Sequence, residues 1–232
     1  MISPKNFERI DPEQVAYWFF RLNGCPTIIN FIVHPDFRGP SQRTDVDILA
    51  VRFPHRAELI TSGHPMVDHE VFCSEKYIDI AIAEVKHGQC RLNGPWTNPP
   101  DANLHRVLYA IGVFDEGKVP DVSKALYQDG QFKDDQYRVR LFAIGEFSNP
   151  RLLPGAVQLV WDEVLKFIYG RFREYQVQKA HHTQWENIGD KLFRIARNTT
   201  EDDFRKKIMN AMQEFVNHKN RPTRNQITGI EK

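Results

Sequence analysis

Asp45, Asp47, Glu84 and Lys86 stand at the charged ends of two apolar, β-branched runs, Thr44 to Val51 and Tyr77 to Lys86, that read as buried strands. Side chains two apart on a strand share a face, which places Glu84 with Lys86 and Asp45 with Asp47. If the two strands pair, up to three carboxylates and one ammonium meet at a single sheet edge. Such groups are costly to bury unless they bind a metal or one another, so the chemistry this spacing suggests is that of a cation site.

The elements around these runs are readable. Asp11-Pro12-Glu13 has an N-cap acid, a first-turn proline and a carboxylate near the positive end of a helix dipole. Val15, Trp18, Phe19 and Leu22 give that helix an apolar face, and Asn23-Gly24 ends it. Cys25 to Val33 reads as a strand, and His34 to Arg43, with two prolines and a glycine, as a loop into the aspartate strand. Pro54 to Glu75, polar and broken by Gly63 and Pro65, reads as an excursion inserted between neighbouring strands. A turn-rich loop from Leu92 to Pro100, a helix near Asn103 to Phe114 and a strand from Tyr137 to Ile144 follow. From Gln158 the spacing of Leu159, Val160, Val164, Phe167 and Ile168 predicts helix, and Thr199-Thr-Glu-Asp-Asp opens a last one through Phe204, Ile208, Met212 and Phe215. The expected fold class is α/β: a mixed central sheet flanked by helices, with a C-terminal helical extension. Residues 1–150 form the expected core, and 151–232 a helical extension packed on it with a loose polar tail from about 218.

Composition narrows the function classes. In 232 residues, 41% hydrophobic and 26% charged is ordinary for a globular protein. No apolar run approaches the ~18 residues a membrane span needs, and Met1 to Asn6 lacks a signal peptide's apolar core, so a cytoplasmic protein with no membrane partner is expected. Cys25, Cys73 and Cys90 are odd in number with no C-x-x-C pair, which argues against a disulfide framework and a zinc knuckle. The net charge of +1 hides an asymmetry: residues 1–164 hold 17 Lys/Arg against 22 Asp/Glu, and residues 165–232 hold 14 against 8. An acidic front suits a cation, and a basic rear suits a polyanion.

The order helix, strand, Asp-bearing strand, strand ending Glu84-Val85-Lys86, helix, strand resembles the PD-(D/E)XK nuclease superfamily, the restriction-endonuclease-like fold, over about residues 11–145. The resemblance implies Asp47 as the motif aspartate, Glu84 as the motif acid and Lys86 as the motif lysine. Glu13 matches an acid that some members add. It further implies a nuclease using Mg²⁺ or Mn²⁺, held by Asp47, Glu84 and the backbone carbonyl of Val85, with Lys86 positioning the attacking water or meeting the developing negative charge. DNA is the expected partner, a homodimer is compatible with the basic rear half, and a place in restriction or defence follows only by analogy with the fold.

Accessory readings are weaker. Asp45 is a second ligand or a solvent-facing strand start, and Gln89 reaches the phosphate or closes a turn. His87 falls on the face opposite the lysine. Trp96 could stack on a base or pin its proline-rich loop; Arg171, Arg173, Lys179, Arg205, Lys206 and Lys207 could contact nucleic acid or form polar helix surface; and His181, His182 and Trp185 read as a surface cluster. Two other functions remain open. Asp45-Val-Asp47 resembles the paired-aspartate strand of nucleotidyltransferases, although Gly39-Pro-Ser41 is the wrong turn for that family; the other is a non-catalytic nucleic-acid-binding or assembly module of nuclease-like fold.

Overall fold

Asp11 caps the first helix as its sequence predicts, its carboxylate accepting from the Glu13 N–H at 3.0 Å. This computed structural model describes residues 9–34, 43–73, 76–180 and 186–220. Helix α1 (Pro12–Leu22) leads to strands β1 (Thr27–Val33), β2 (Thr44–Arg52) and β3 (Ile78–Val85). A short α2 (Gly94–Thr97), then α3 (Asn103–Ile111) and α4 (Val119–Asp129), lead to β4 (Gln131–Lys133), β5 (Tyr137–Gly145) and β6 (Val157–Val160). Helices α5 (Trp161–Glu174), α6 (Gln176–Ala180), α7 (Asn187–Asn198) and α8 (Glu201–Lys219) complete the chain.

The six strands form one mixed sheet. β1, β2 and β3 are an antiparallel meander, and β5 lies parallel to β3 after the helical crossover. The other edge of β5 is shared by β4 near its start and β6 near its end. The apolar residues sort by strand parity. Ile48, Ala50, Ala81, Ala83, Val85, Phe142 and Ile144 pack under α1, α5, α7 and α8. Ile80, Ile82, Val139, Leu141 and Ala143 pack under α3 and α4. Such alternation is what a sheet covered on both faces requires. Among the described residues no helix is long and apolar enough to cross a membrane.

Two expectations change. β6 occupies residues expected to start a helix; Leu159 and Val160 fit a helical stripe by spacing, yet the chain first pairs Val157–Val160 with Phe142–Gly145, and the helix begins at Trp161. α4 and β4, between the expected elements, are additions. In the region from residue 151, β6 joins the sheet, and α5, α7 and α8 bury Val164, Ile168, Leu192, Phe204 and Met212 in one cluster with α1. The excursion between β2 and β3 does connect adjacent strands, as expected. Residues 35–42, 181–185 and 221–232 lie outside the described residues, and with them the Gly39–Ser41 turn, His181, His182, Trp185 and most of the expected tail.

Candidate active site

The register that sets Ile48 opposite Ala83 carries Asp47 beside Glu84, across the excursion that separates them in sequence. β2 is interrupted at that point. Its ladder with β1 runs from Thr27↔Ala50 to Val33↔Thr44 but skips the Asn30–Asp47 pair, and Asn30 has φ of +51°. A non-glycine residue in the left-handed region is uncommon, and asparagine is among those that tolerate it. Val46 and Ile48, two apart, therefore bury in the clusters on opposite faces of the sheet. The break turns the Asp47 carboxylate into the plane of the sheet, where its Oδ2 accepts the Val85 N–H at 2.7 Å. The carboxylate takes a strand N–H that a β2 carbonyl would otherwise meet. By strand geometry the Val85 carbonyl lies on the same edge.

Glu84 is 3% exposed. Its Oε1 accepts from Lys86 Nζ and Asn93 Nδ2, and its Oε2 accepts from Trp96 Nε1 at 2.5 Å. Three groups on the α2 side of the sheet thus lock one carboxylate, with about one acceptor position left over of the roughly four an ionised carboxylate offers. The Lys86 backbone is pinned on both sides: its N–H donates to the Ile144 carbonyl at 2.8 Å and its carbonyl accepts from Trp161 Nε1 at 3.0 Å. The turn that follows lies directly on β5, where a Cβ at Gly145 would collide with the Gly88 carbonyl and the Cys90 nitrogen.

Glu13 approaches from the other layer. Burial first, then the charge of Asp47, pushes its carboxyl up to about 7. Asp47 is pushed up to about 6, again by burial first and then by Glu84, with the Val85 N–H and Lys86 pulling the other way. Asp47 thus feels Glu84, and Glu13 feels Asp47, across the edge where β2 opens, an electrostatic arrangement that favours uptake of a cation or a proton. Asp45 adds to this field at both groups but ranks last at Asp47, behind Glu84.

The donor set is all oxygen, which suits Mg²⁺ or Mn²⁺; Mg²⁺ commonly takes one or two protein carboxylates and keeps several waters. Among the described residues no three His, Cys, Asp or Glu side chains converge as a metal cage. Asp47 and Glu84 are the two carboxylates that could hold such a cation, with water completing its shell.

The outlying candidates divide. Gln89 is exposed, its backbone bridged to Phe147 and its side chain donating to the Ser148 carbonyl at 3.4 Å, at the end of β5. His87 is half-buried, and its Nε2 has no hydrogen-bond partner among the described residues. Trp96, considered for base stacking, is 2% exposed with its indole N–H on Glu84, so no ring face is open to a base. Arg171, considered for phosphate contact on a helix surface, is buried with Nη2 on the Val67 carbonyl at 2.6 Å. Arg205 is paired with Asp162, Asp202 and Glu201, which removes most of its pull on a polyanion. Lys179 is half-buried, and burial lowers its pKa. Arg173, Lys206 and Lys207 remain exposed. Asn93 was not foreseen; a side-chain amide in a turn-rich loop gives no sign of its partner nine residues back. The chain matches no family model, no curated protein and no solved structure.

Proposed function

We propose that the chain is a divalent-metal-dependent nuclease that hydrolyses phosphodiester bonds in DNA, acting in the cytoplasm, with an architecture similar to that of the PD-(D/E)XK superfamily. The observation that carries this reading is the Asp47 carboxylate docked on the Val85 peptide beside the Glu84–Lys86 pair. Asp47 and Glu84 would hold the ion, with the Val85 carbonyl on the same edge. When bound, the ion neutralises charge on the phosphoryl oxygens and lowers the pKa of a water. Glu84 holds the Lys86 ammonium at the strand end, where it orients the attacking water or meets the developing negative charge. Asn93 and Trp96 fix the Glu84 side chain, so the lysine is aimed by a carboxylate that cannot swing. Glu13 is placed to accept a proton or to extend the oxygen set.

The hold on Glu84 also supports a second reading. With both oxygens engaged, the acid serves equally well as a structural anchor, and the protein would then be a nucleic-acid-binding or assembly module that keeps the architecture without the chemistry. Incubation of the purified protein with supercoiled plasmid, single-stranded DNA and RNA, with Mg²⁺ or Mn²⁺ or with chelator, separates these readings. Metal-dependent plasmid nicking is expected. Tight, salt-sensitive binding without cleavage would favour the module, and incorporation of labelled nucleotide would favour a transferase using Asp45 and Asp47.

The raised carboxyl groups set a pH window. The folded protein holds protons on Asp47 and Glu13 up to about 6 and about 7, against ordinary values of 3.8 and 4.5. Between those limits the native state binds more protons than the unfolded chain, so these two groups make stability fall as pH rises through the window. Metal uptake needs Asp47 ionised and reverses the trend at that group. Thermal unfolding with and without Mn²⁺ should therefore show little metal stabilisation at about pH 5 and a clear increase by about pH 8.

A further inference from the structure

At the far end of β2, five residues and about 17 Å along the strand from Asp47, cations outnumber anions in a buried setting. Asp68, on the excursion, accepts from three guanidinium groups: Arg52 Nη2 at 2.6 Å, Arg56 Nη1 at 2.5 Å and Arg171 Nη2 at 3.4 Å. The side chains of Arg52, Arg171 and Asp68 are all less than a tenth exposed. Arg56 also reaches Glu58 at 2.5 Å, on the surface side. Lys179 of α6 feels Glu58, Arg171 and Arg56, and burial with the two arginines lowers its pKa. Three guanidinium groups thus contact two carboxylates, with Lys179 close enough to feel Glu58, Arg56 and Arg171.

The neighbouring group does nothing to balance them. Asp79, 2% exposed, is claimed by Arg138 Nη2 at 2.6 Å and by Arg140. The excess has an address. Arg171 is 3% exposed, its Nη2 holds the Val67 carbonyl, and its Nη1 is buried with no hydrogen-bond partner among the described residues. Pinning the excursion to α5 explains Nη2, together with the Tyr175 hydroxyl on the Pro65 carbonyl at 3.2 Å. It does not explain the second nitrogen or the surplus charge, since a buried charge is normally paired.

We propose that Arg56, Arg171 and Lys179 form a binding site for a phosphate-type oxyanion, distinct from the Asp47–Glu84 edge. A planar guanidinium fork with one unpartnered donor is suited to such a ligand, and half-exposed Glu58 and half-buried Lys179 form the solvent-facing side of the cluster. The Arg56 side chain is itself set by Gly24, at the end of α1, where a Cβ would overlap the Arg56 guanidinium and φ is +70°. The site is therefore framed by α1, the excursion, α5 and α6. The oxyanion is either free phosphate or the terminal phosphate of a nucleic-acid strand.

The test uses the full chain and inorganic phosphate at constant ionic strength with chloride as reference. Saturable binding is expected by calorimetry, with a rise in Tm that chloride does not give. Lys179→Ala, at the half-buried rim, should weaken binding about tenfold or more, and Arg171→Gln should abolish it. If Arg171→Gln fails to fold, Lys179→Ala and Arg56→Gln carry the test. Asp47→Asn should bind phosphate as the wild type does, which separates this site from the proposed catalytic edge. Displacement of phosphate by a 5′-phosphorylated oligonucleotide but not by its 5′-hydroxyl counterpart identifies a strand terminus as the ligand; no displacement by either identifies free phosphate. Absence of saturable phosphate binding, or binding undiminished in Lys179→Ala and Arg56→Gln, overturns the proposal.

Discussion

Asp47→Asn is expected to lower metal-dependent DNA cleavage by about 10²–10³-fold or more while leaving the protein as stable as the wild type, or more stable, above pH 7. The two halves of this expectation have one cause. The side chain is nearly isosteric, and an amide oxygen can still accept the Val85 N–H that Oδ2 accepts now. What disappears is a charge that burial and Glu84 already oppose, as the rise to about 6 records. Above that pH, keeping Asp47 ionised costs the native state free energy, and the amide removes the cost. Glu13, whose carboxyl is raised by burial and then by Asp47, should titrate closer to its ordinary value in the variant. A residue kept for the fold would lose stability on substitution. One kept for a ligand gives up stability for function. Thermal unfolding and a cleavage time course on the same preparation read both halves.

Glu84→Ala should behave oppositely. It removes the common acceptor of Lys86, Asn93 and Trp96 from a buried position, leaving an indole N–H and an amide without partners and an ammonium without its counter-charge. Breaking a buried pair from one side costs about 3–5 kcal/mol. For a chain of this size that corresponds to a fall in Tm on the order of 10 °C. Activity should vanish as well, so only the stability readout distinguishes this acid from Asp47. Glu84→Gln retains one acceptor oxygen and should fall between wild type and alanine. If Glu84→Ala melted like the wild type, the hydrogen bonds that are taken to aim Lys86 would not be formed.

Much of this arrangement could be read from local sequence. The Asp11-Pro12-Glu13 cap, the apolar, β-branched runs of β2 and β3 and the Thr200 cap of α8 are signals set within a few residues, and each element forms where its signal lies. Short elements were not legible. β6 has four residues and β4 three, too few to establish a period of two against a helical stripe that begins inside one of them. Arg171 could have been placed better: it follows Val164 and Ile168 at the spacing of the buried stripe of α5, so its charge pointed outward while its position pointed inward.

At the candidate site the residue types were readable and the geometry was not. Which residue of β2 opposes Glu84 depends on pairing across the excursion, and the break at Asn30 and Asp47 that turns the carboxylate into the sheet plane has no marker in the β2 sequence. Nor do Asn93 and Trp96 announce their carboxylate, because the turn that folds α2 back over β3 is what brings them to it.

The most direct measurement is a plasmid-nicking time course at about pH 8, where Asp47 and Glu13 are ionised, with Mg²⁺, comparing wild type with Lys86→Ala. The Lys86 backbone is held independently by Ile144 and Trp161, and Glu84 keeps its bonds from Asn93 and Trp96, so a thermal melt of Lys86→Ala alongside separates loss of the ammonium from loss of the fold. Nicking by the wild type that stops on chelation and falls about 10²-fold or more in Lys86→Ala is the expected result. No nicking by the wild type, or equal nicking by Lys86→Ala, would contradict the assignment of this sheet edge as a nuclease site.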